Sequence, residues 1–357
     1  MEVLMQDLNE LFRSKVQACF LGVAIGDAMG MPVETMTDDQ IEKAVPGGVT
    51  GFLDAKQTRF DSISNFKAGE TTDDWQLTRA LAKSLIRCKG YDFEDMLKEQ
   101  IREANESTAG WGGSTRNSIF QIQRFFQTDG REGKDPRNHS NRPAPNQGCG
   151  NGVAMKIAPL AMYVALANGG VTGGKMMSIC VEQGMATHSD IRASIAAYAI
   201  CWLMSSSVKD EMDVGSRKVD LKFKALVKTV RAAEKLYSAY HDYTDKISDR
   251  LQKIHENGLL SNLNGLIQQN GCSCYSLESI PFAIAIFFRN PTNFRAGVLE
   301  AVNAGGDTDT NAAIVGALIG ANVGLESIPV EWQEFNRTFR DAKALGVEFF
   351  DTFAGRK

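Results

Sequence analysis

Apolar residues recur along most of this chain at three- and four-residue intervals, and the strict alternation of a half-buried strand is almost absent. The pattern predicts a helix from about 9 to 29, with Gly22, Gly26 and Gly30 at i, i+4 spacing on one face. Glycine lowers helix propensity, so that face is expected to admit close approach of another helix or a ligand. Further helices are predicted from the Thr72 region to about 88, over 92–105, over 117–126, from Val153 onward, and over 191–204. Residues 205–257 are highly charged, with Phe223, Leu226, Val227, Val230, Ala233 and Leu236 at helical spacing, and read as solvated helices on the rim. Segments 279–288 and 293–302 read as buried helices leading to a central Ala/Gly-rich helix over 311–324. No compositional linker or internal repeat interrupts the pattern, so one all-α domain over 1–357 is expected.

Two polar clusters stand out against this background. Thr71-Thr72-Asp73-Asp74 and Gly305-Gly306-Asp307-Thr308-Asp309-Thr310-Asn311 each lead into an apolar helix. Either cluster alone is explained by capping, because Thr and Asp accept hydrogen bonds from a first turn and acids there complement the helix dipole. Density is what capping does not explain: each places two carboxylates within one turn, more charge than a cap uses. Brought together, four carboxylates repel unless cations sit between them, and carboxylate and hydroxyl oxygens suit Mg²⁺ or Mn²⁺ rather than zinc.

Other positions are candidates for the same chemistry. Asp27, inside the apolar first helix, reads as structural, hydrogen-bonded to a neighbouring backbone, whereas Glu34, just past Pro32, reads as the carboxylate freer for catalysis. Gly110-Trp111-Gly112-Gly113-Ser114-Thr115 is a glycine-rich loop that fits either a connector or a nucleotide cradle. Gly148-Cys149-Gly150-Asn151-Gly152 reads as opening directly into a helix at Val153, whose free N–H groups suit a phosphate or diphosphate. It ends a polar, basic segment, 128–147, expected to be a long exposed loop. His188, at the entrance of the 191–204 helix, is more often a cap or packing residue than a catalyst.

Composition narrows the classes. With 357 residues, 43% hydrophobic and 23% charged, the chain is long enough for a sizeable core. A net charge of -4 and a pI near 5.7 argue against a nucleic-acid partner. Seven scattered cysteines without a CxxC pair fit reduced thiols better than disulfides or a zinc site. Residues 1–9 do not resemble a signal peptide, and the apolar stretch 19–32 is interrupted by Asp27 and too short to span a bilayer. A cytoplasmic monomer with no membrane partner is expected.

Taken in order, Gly22–Gly30, Thr72-Asp73-Asp74, Gly150-Asn151-Gly152-Val153-Ala154-Met155, Thr187-His188 and Gly305–Ala313 resemble the ADP-ribosylglycohydrolase family over about 15–325. The resemblance implies a compact orthogonal helical bundle with two Mg²⁺ or Mn²⁺ ions in a cleft. Thr72, Asp73, Asp74, Asp307, Asp309 and Thr310 match the metal ligands, with Asp309 shared between the ions. Gly150, Asn151, Gly152, Met155 and His188 match the diphosphate and ribose sites, and Gly110, Gly112, Gly113 and Ser114 match a loop over the nucleoside. Glu34, Asp74 and Asp307 are the carboxylates matched to catalysis. The implied activity is hydrolysis at the distal ribose of ADP-ribose, with an ADP-ribosylated protein or other ADP-ribosyl conjugate as partner; the alternative is a non-catalytic ADP-ribose-binding or structural relative. Trp111 departs from relatives that carry an aspartate in that loop, so a mechanism needing that acid does not transfer; Trp75 replaces a common threonine outside the ligating triplet. An all-α prenyl-diphosphate enzyme would want DDxxD spacing, and an Asp-x-Asp phosphohydrolase would want a strand before Asp307; neither is present in the pattern.

Overall fold

A computed structural model of the chain describes residues 2–58, 63–138, 148–167, 171–212, 217–238 and 244–354. The α-helices follow one another as α1 (Glu2–Gly30), α2 (Asp38–Ala44), α3 (Asp73–Cys88), α4 (Phe93–Glu106), α5 (Gly113–Gln127), α6 (Ala158–Leu166), α7 (Gly173–Thr187) and α8 (Ile191–Lys209). They continue as α9 (Arg217–Tyr237), α10 (Ile247–Glu256), α11 (Leu263–Asn270), α12 (Ser276–Arg289), α13 (Phe294–Asn303), α14 (Thr308–Val323), α15 (Val330–Gln333) and α16 (Arg337–Phe353). Among the described residues no strand forms, and β pairing is limited to isolated bridges of Thr37 with Gly305 and Gly150 with Tyr275. The expected all-α class is the observed one.

The bundle is built around α1 and α14. Small residues four apart meet across an antiparallel seam: Ala18 with Gly320, Gly22 with Gly316, Gly26 with Ala312, and Gly30 with Thr308. A Cβ added at Gly22, Gly26 or Gly30 would lie within 3 Å of the α14 backbone, so close helix approach is what these glycines permit. The Thr308 hydroxyl closes the seam by donating to the Gly30 carbonyl at 2.8 Å. α16 packs along α1, while α8, α12 and α13 cover α14, and one hydrophobic cluster extends from Val16 to Phe353.

Several expected boundaries move. The apolar stretch 19–32 belongs to a longer segment, Asp7–Val33, that is long and apolar enough to cross a membrane; 94% of its most apolar window is buried inside this bundle. Ile191–Lys209 passes the same length test and is also largely buried. In the charged region α9 buries Phe223, Leu226, Val227, Val230 and Ala233, as the spacing indicates, but Leu236 is 69% exposed. Thirteen residues beyond Phe223, at 100° each, Leu236 points about 140° away from it. Of the 128–147 segment, 129–132 and 136–138 form short 3₁₀ turns, and 139–147 lie outside the described residues.

Candidate active site

α3 and α14 begin side by side, and their first turns carry the two acidic clusters. Neither start is capped by its own leading side chain: Thr72 and Asp307 make no cap bond. Asp27 caps α3 instead. Its carboxylate accepts from the Thr72 N–H at 3.0 Å, the Thr72 hydroxyl at 2.9 Å and the Trp75 N–H at 3.0 Å. Asp27 therefore holds a neighbouring backbone, as its position in an apolar helix suggested, and Thr72 is wholly buried behind the cleft.

The Gly305-Gly306 turn is pinned from two sides. Both glycines have positive φ, +78° and +76°. The Gly306 N–H donates to Met36 O at 2.8 Å, the Thr35 N–H donates to Gly306 O at 2.7 Å, and the Asp307 N–H donates to Cys272 O at 3.0 Å. This brings the residue after the short Met31–Val33 turn, Glu34, to the acids of α14. A chain of side-chain bonds fixes the base: Asn151 donates to Asp307 at 2.5 Å and to Ser279 at 2.9 Å, Ser279 donates to Asn311 at 2.8 Å, and Asn311 donates to Cys272 O at 2.8 Å.

The result is two carboxylate groups that share a member. Asp27, Asp74 and Asp309 have oxygens within 4.8 Å of one another, and so do Glu34, Asp307 and Asp309. At that separation each charged pair repels by about 3.5 kcal/mol at an effective dielectric constant of about 20. Burial first, and then the neighbouring charges, push Asp74 and Asp309 far above the ordinary carboxylate range. Burial raises Asp27 and Asp73 to about 7, against the N–H groups of Trp75 and Gly112 that favour their charged forms. Asp307 is raised by burial while hydrogen bonds from its neighbours oppose the shift. One Asp74 oxygen accepts from the Thr310 hydroxyl at 3.3 Å; the other is buried without any donor. A buried, donorless carboxylate oxygen among other acids is the environment a hard divalent cation satisfies, so the donor set fits Mg²⁺ or Mn²⁺.

A cleft of about 620 Å³ opens over these groups. Its walls bring together Glu34, Asp73, Asp74, Asp307, Asp309 and Thr310 with Gly110, Gly112, Gly113, Ser114, Gly150, Asn151, Gly152, Met155 and His188. Of the residues singled out from sequence, Thr72 and Asp27, both wholly buried and bonded to each other, stand behind the wall. The two glycine loops exchange their expected roles at helix ends. α5 begins at Gly113, so the N–H groups of the first loop form a helix N-terminus, whereas α6 begins only at Ala158. The second loop closes a short 3₁₀ turn over Asn151–Val153, anchored by the Gly150–Tyr275 bridge and by the Asn151 N–H donating to Cys274 O at 3.0 Å.

Packing explains the glycines of that loop. A Cβ on Gly152 would lie within 3 Å of the His188 ring, which stacks behind the loop with Nδ1 2.9 Å from Thr187 Oγ1. Burial, then the charge of Lys156, lower His188 to about 4, so the ring is neutral near pH 7. Lys156 itself is wholly buried with no hydrogen-bond partner for Nζ, and burial lowers it to about 8 against the pull of Asp73. The first loop is fastened to α3: Trp111 Nε1 donates to Gln76 Oε1 at 2.7 Å, and the Gly112 N–H donates to Asp73 at 3.2 Å.

A family model described as ADP-ribosylglycohydrolase matches residues 8–356. The chain belongs to the ADP-ribosylglycohydrolase family. Members of this family are hydrolases acting on glycosyl bonds. The chain is 28% identical to an uncharacterized protein of Archaeoglobus fulgidus, covering 92% of each. It is 24% identical to the ADP-ribosyl-[dinitrogen reductase] glycohydrolase of Rhodospirillum rubrum, over 88% of this chain and 87% of that one. A solved ADP-ribosylglycohydrolase-related protein complex shares the fold at a TM-score of 0.66 and 23% identity, covering 96% and 99% of the two chains.

Within that family frame, several residues had weak sequence signals. Asp27 joins one carboxylate group, and its only sign was an acid inside an apolar helix. Asn151 matches a ligand contact by its motif, and its bond to Asp307, 156 residues away, leaves no local pattern. Ile63, Thr108, Ala109, Arg116 and Cys274 also line the cleft. Trp111 is buried and hydrogen-bonded, and it adds no carboxylate to the loop.

Proposed function

We propose that this protein hydrolyses the bond between the anomeric carbon of the distal ribose of ADP-ribose and an acceptor side chain or related group. The observation that carries this reading is the meeting of both acidic clusters and both glycine loops in one cleft, in a chain of this family. Asp73, Asp74, Asp307, Asp309 and Thr310, with Thr72 behind them, would hold two divalent cations, and Asp309 belongs to both carboxylate groups. Bound Mg²⁺ or Mn²⁺ would supply positive charge that orients ribose hydroxyls and makes water a better nucleophile at neutral pH.

The protein's own groups account for the remaining needs. The first turn of α5, which starts at Gly113, and the Gly150–Gly152 loop both line the cleft, and the N–H groups of that helix start suit the diphosphate. Neutral His188 backs the second loop without adding charge. Glu34 is half-buried at the lip, where it exchanges protons with solvent more readily than the buried aspartates, and it receives the proton of the attacking water. Asp74 and Asp307 are held by Thr310 and Asn151 and stabilise the positive character that develops at the anomeric carbon. The acceptor departs with the electrons of the broken bond and takes up a proton.

The test is release of ADP-ribose from a panel of conjugates on arginine, serine, a carboxylate ester and a second ribose. Turnover should require Mg²⁺ or Mn²⁺ and disappear with chelator. The Asp307→Asn, Asp309→Asn double variant should lose about 10³-fold or more in kcat while remaining folded. Full activity in that variant would overturn the scheme, and tight ADP-ribose binding with no turnover of any conjugate would indicate a non-catalytic binder.

A further inference from the structure

Helix α5 carries a surface that the cleft chemistry leaves unused. Arg116 lines the cleft, and Phe120 and Arg124 follow it at i+4 and i+8, so the three form a stripe running outward from the lip. All three are exposed, Phe120 to 42%. Alongside lies an open groove of about 560 Å³ walled by Asn117, Phe120, Gln121, Gln123, Arg124 and Gln127. No acidic residue occurs between Glu106 and Asp129, in a chain whose net charge is -4.

The charges on this stripe are not spent internally. Neither Arg116 nor Arg124 has an ion pair among the described residues, whereas Arg79, Arg87, Arg192, Arg250 and Arg289 are all bound to carboxylates. Arg124, in the last turn, also complements the helix dipole. Arg116 sits in the first turn, where a cation opposes the dipole, so helix stability does not account for it. The same helix serves both: residues 113–116 line the cleft, and Asn117, next in the chain, begins the wall of the groove.

We propose that this face of α5 docks the polypeptide that carries the ADP-ribosyl group, and that it favours acceptors with acidic residues beside the modified side chain. The proposal rests on the hydrolase reading above. With the ADP-ribosyl group inside, the acceptor backbone must cross the lip, and the part of α5 beyond the cleft-lining residues, 117–127, is about 16 Å long, enough for about five residues of extended chain. Carboxylates meet the two guanidiniums, amide side chains bond the peptide backbone, and Phe120 supplies an apolar contact.

The experiment compares a peptide with one ADP-ribosylated side chain flanked by glutamates, the same peptide with glutamines, and the matching single-amino-acid conjugate. Wild type and a Phe120→Ala, Arg124→Glu variant are assayed with each linkage that is cleaved. The variant should raise KM for the glutamate peptide about tenfold, leave kcat and the small conjugate unchanged, and remove the preference for glutamate over glutamine. Equal KM in wild type and variant, or an equal loss on the small conjugate, would overturn the docking surface while leaving the hydrolase reading intact. Absence of turnover on every conjugate by wild type would refute the hydrolase reading, and the docking proposal with it.

Discussion

At the scale of single residues, Asp27 is the most informative side chain. It lies in the core helix, caps a different helix, and stands within 4.8 Å of Asp74 and Asp309. Asp27→Ala would strand the Thr72 hydroxyl and the Thr72 and Trp75 N–H groups in the interior, at a cost of about 3 kcal/mol or more. Asp27→Asn keeps an acceptor and should cost roughly half as much. Urea denaturation of both variants checks this; equal midpoints for wild type and Asp27→Ala would show that the cap bonds carry no stability. Asp73, Asp74, Asp307 and Asp309 were readable because each pair is dense within a few residues. Asp27 and Asn151 were harder, since their partners lie 45 or more residues away and leave no periodic mark.

At the scale of elements, the α1–α14 seam sets where the two carboxylate groups meet. Gly26→Ala gains about 1 kcal/mol of helix propensity, yet its Cβ would press on the Ala312 carbonyl and drive the helices apart. We expect net destabilisation of about 1–3 kcal/mol and weaker cation binding, because Asp27 and Asp309 stand on the two sides of the seam. Gly51→Ala, with no atom within 4 Å of the new Cβ, is the control and should be neutral. Calorimetry with a Mg²⁺ titration distinguishes the two; a neutral Gly26→Ala would mean the seam yields freely. The i, i+4 glycines were legible because small residues at helical spacing announce close packing. The starts of α5 and α6 were not. Gly112-Gly113 weakens a helix that tertiary packing nevertheless forms, while the residues after Gly150 close only a 3₁₀ turn over Asn151–Val153, and α6 waits until Ala158.

At the scale of the whole molecule, charge in the cleft couples stability to pH and cations. Asp27 and Asp73 are raised from about 3.8 to about 7 in the folded state, so the folded chain binds more protons than the unfolded chain between those values. The sign follows: without cation, stability contributed by these groups is full below pH 3.8 and is lost as pH rises toward 7. A cation replaces those protons, so the rise in melting temperature on adding Mg²⁺ should be larger at pH 8 than at pH 6. An equal or reversed ordering, measured by scanning fluorimetry, would contradict the assignment of these acids to a cation site. Helical periodicity made the all-α class legible across the chain, and the family motifs identified most of the cleft wall. Acceptor preference was not legible, since the α5 face is an ordinary-looking polar helix until its position at the lip is known.

The central claim is that water attacks the anomeric carbon of the distal ribose. It is tested by turnover of an ADP-ribosyl conjugate in H₂¹⁸O with Mg²⁺, with the products weighed by mass spectrometry. The prediction is unmodified acceptor and ADP-ribose carrying one ¹⁸O on its terminal ribose, both absent with chelator. Label on a phosphate, with AMP released and ribose phosphate left on the acceptor, would contradict it.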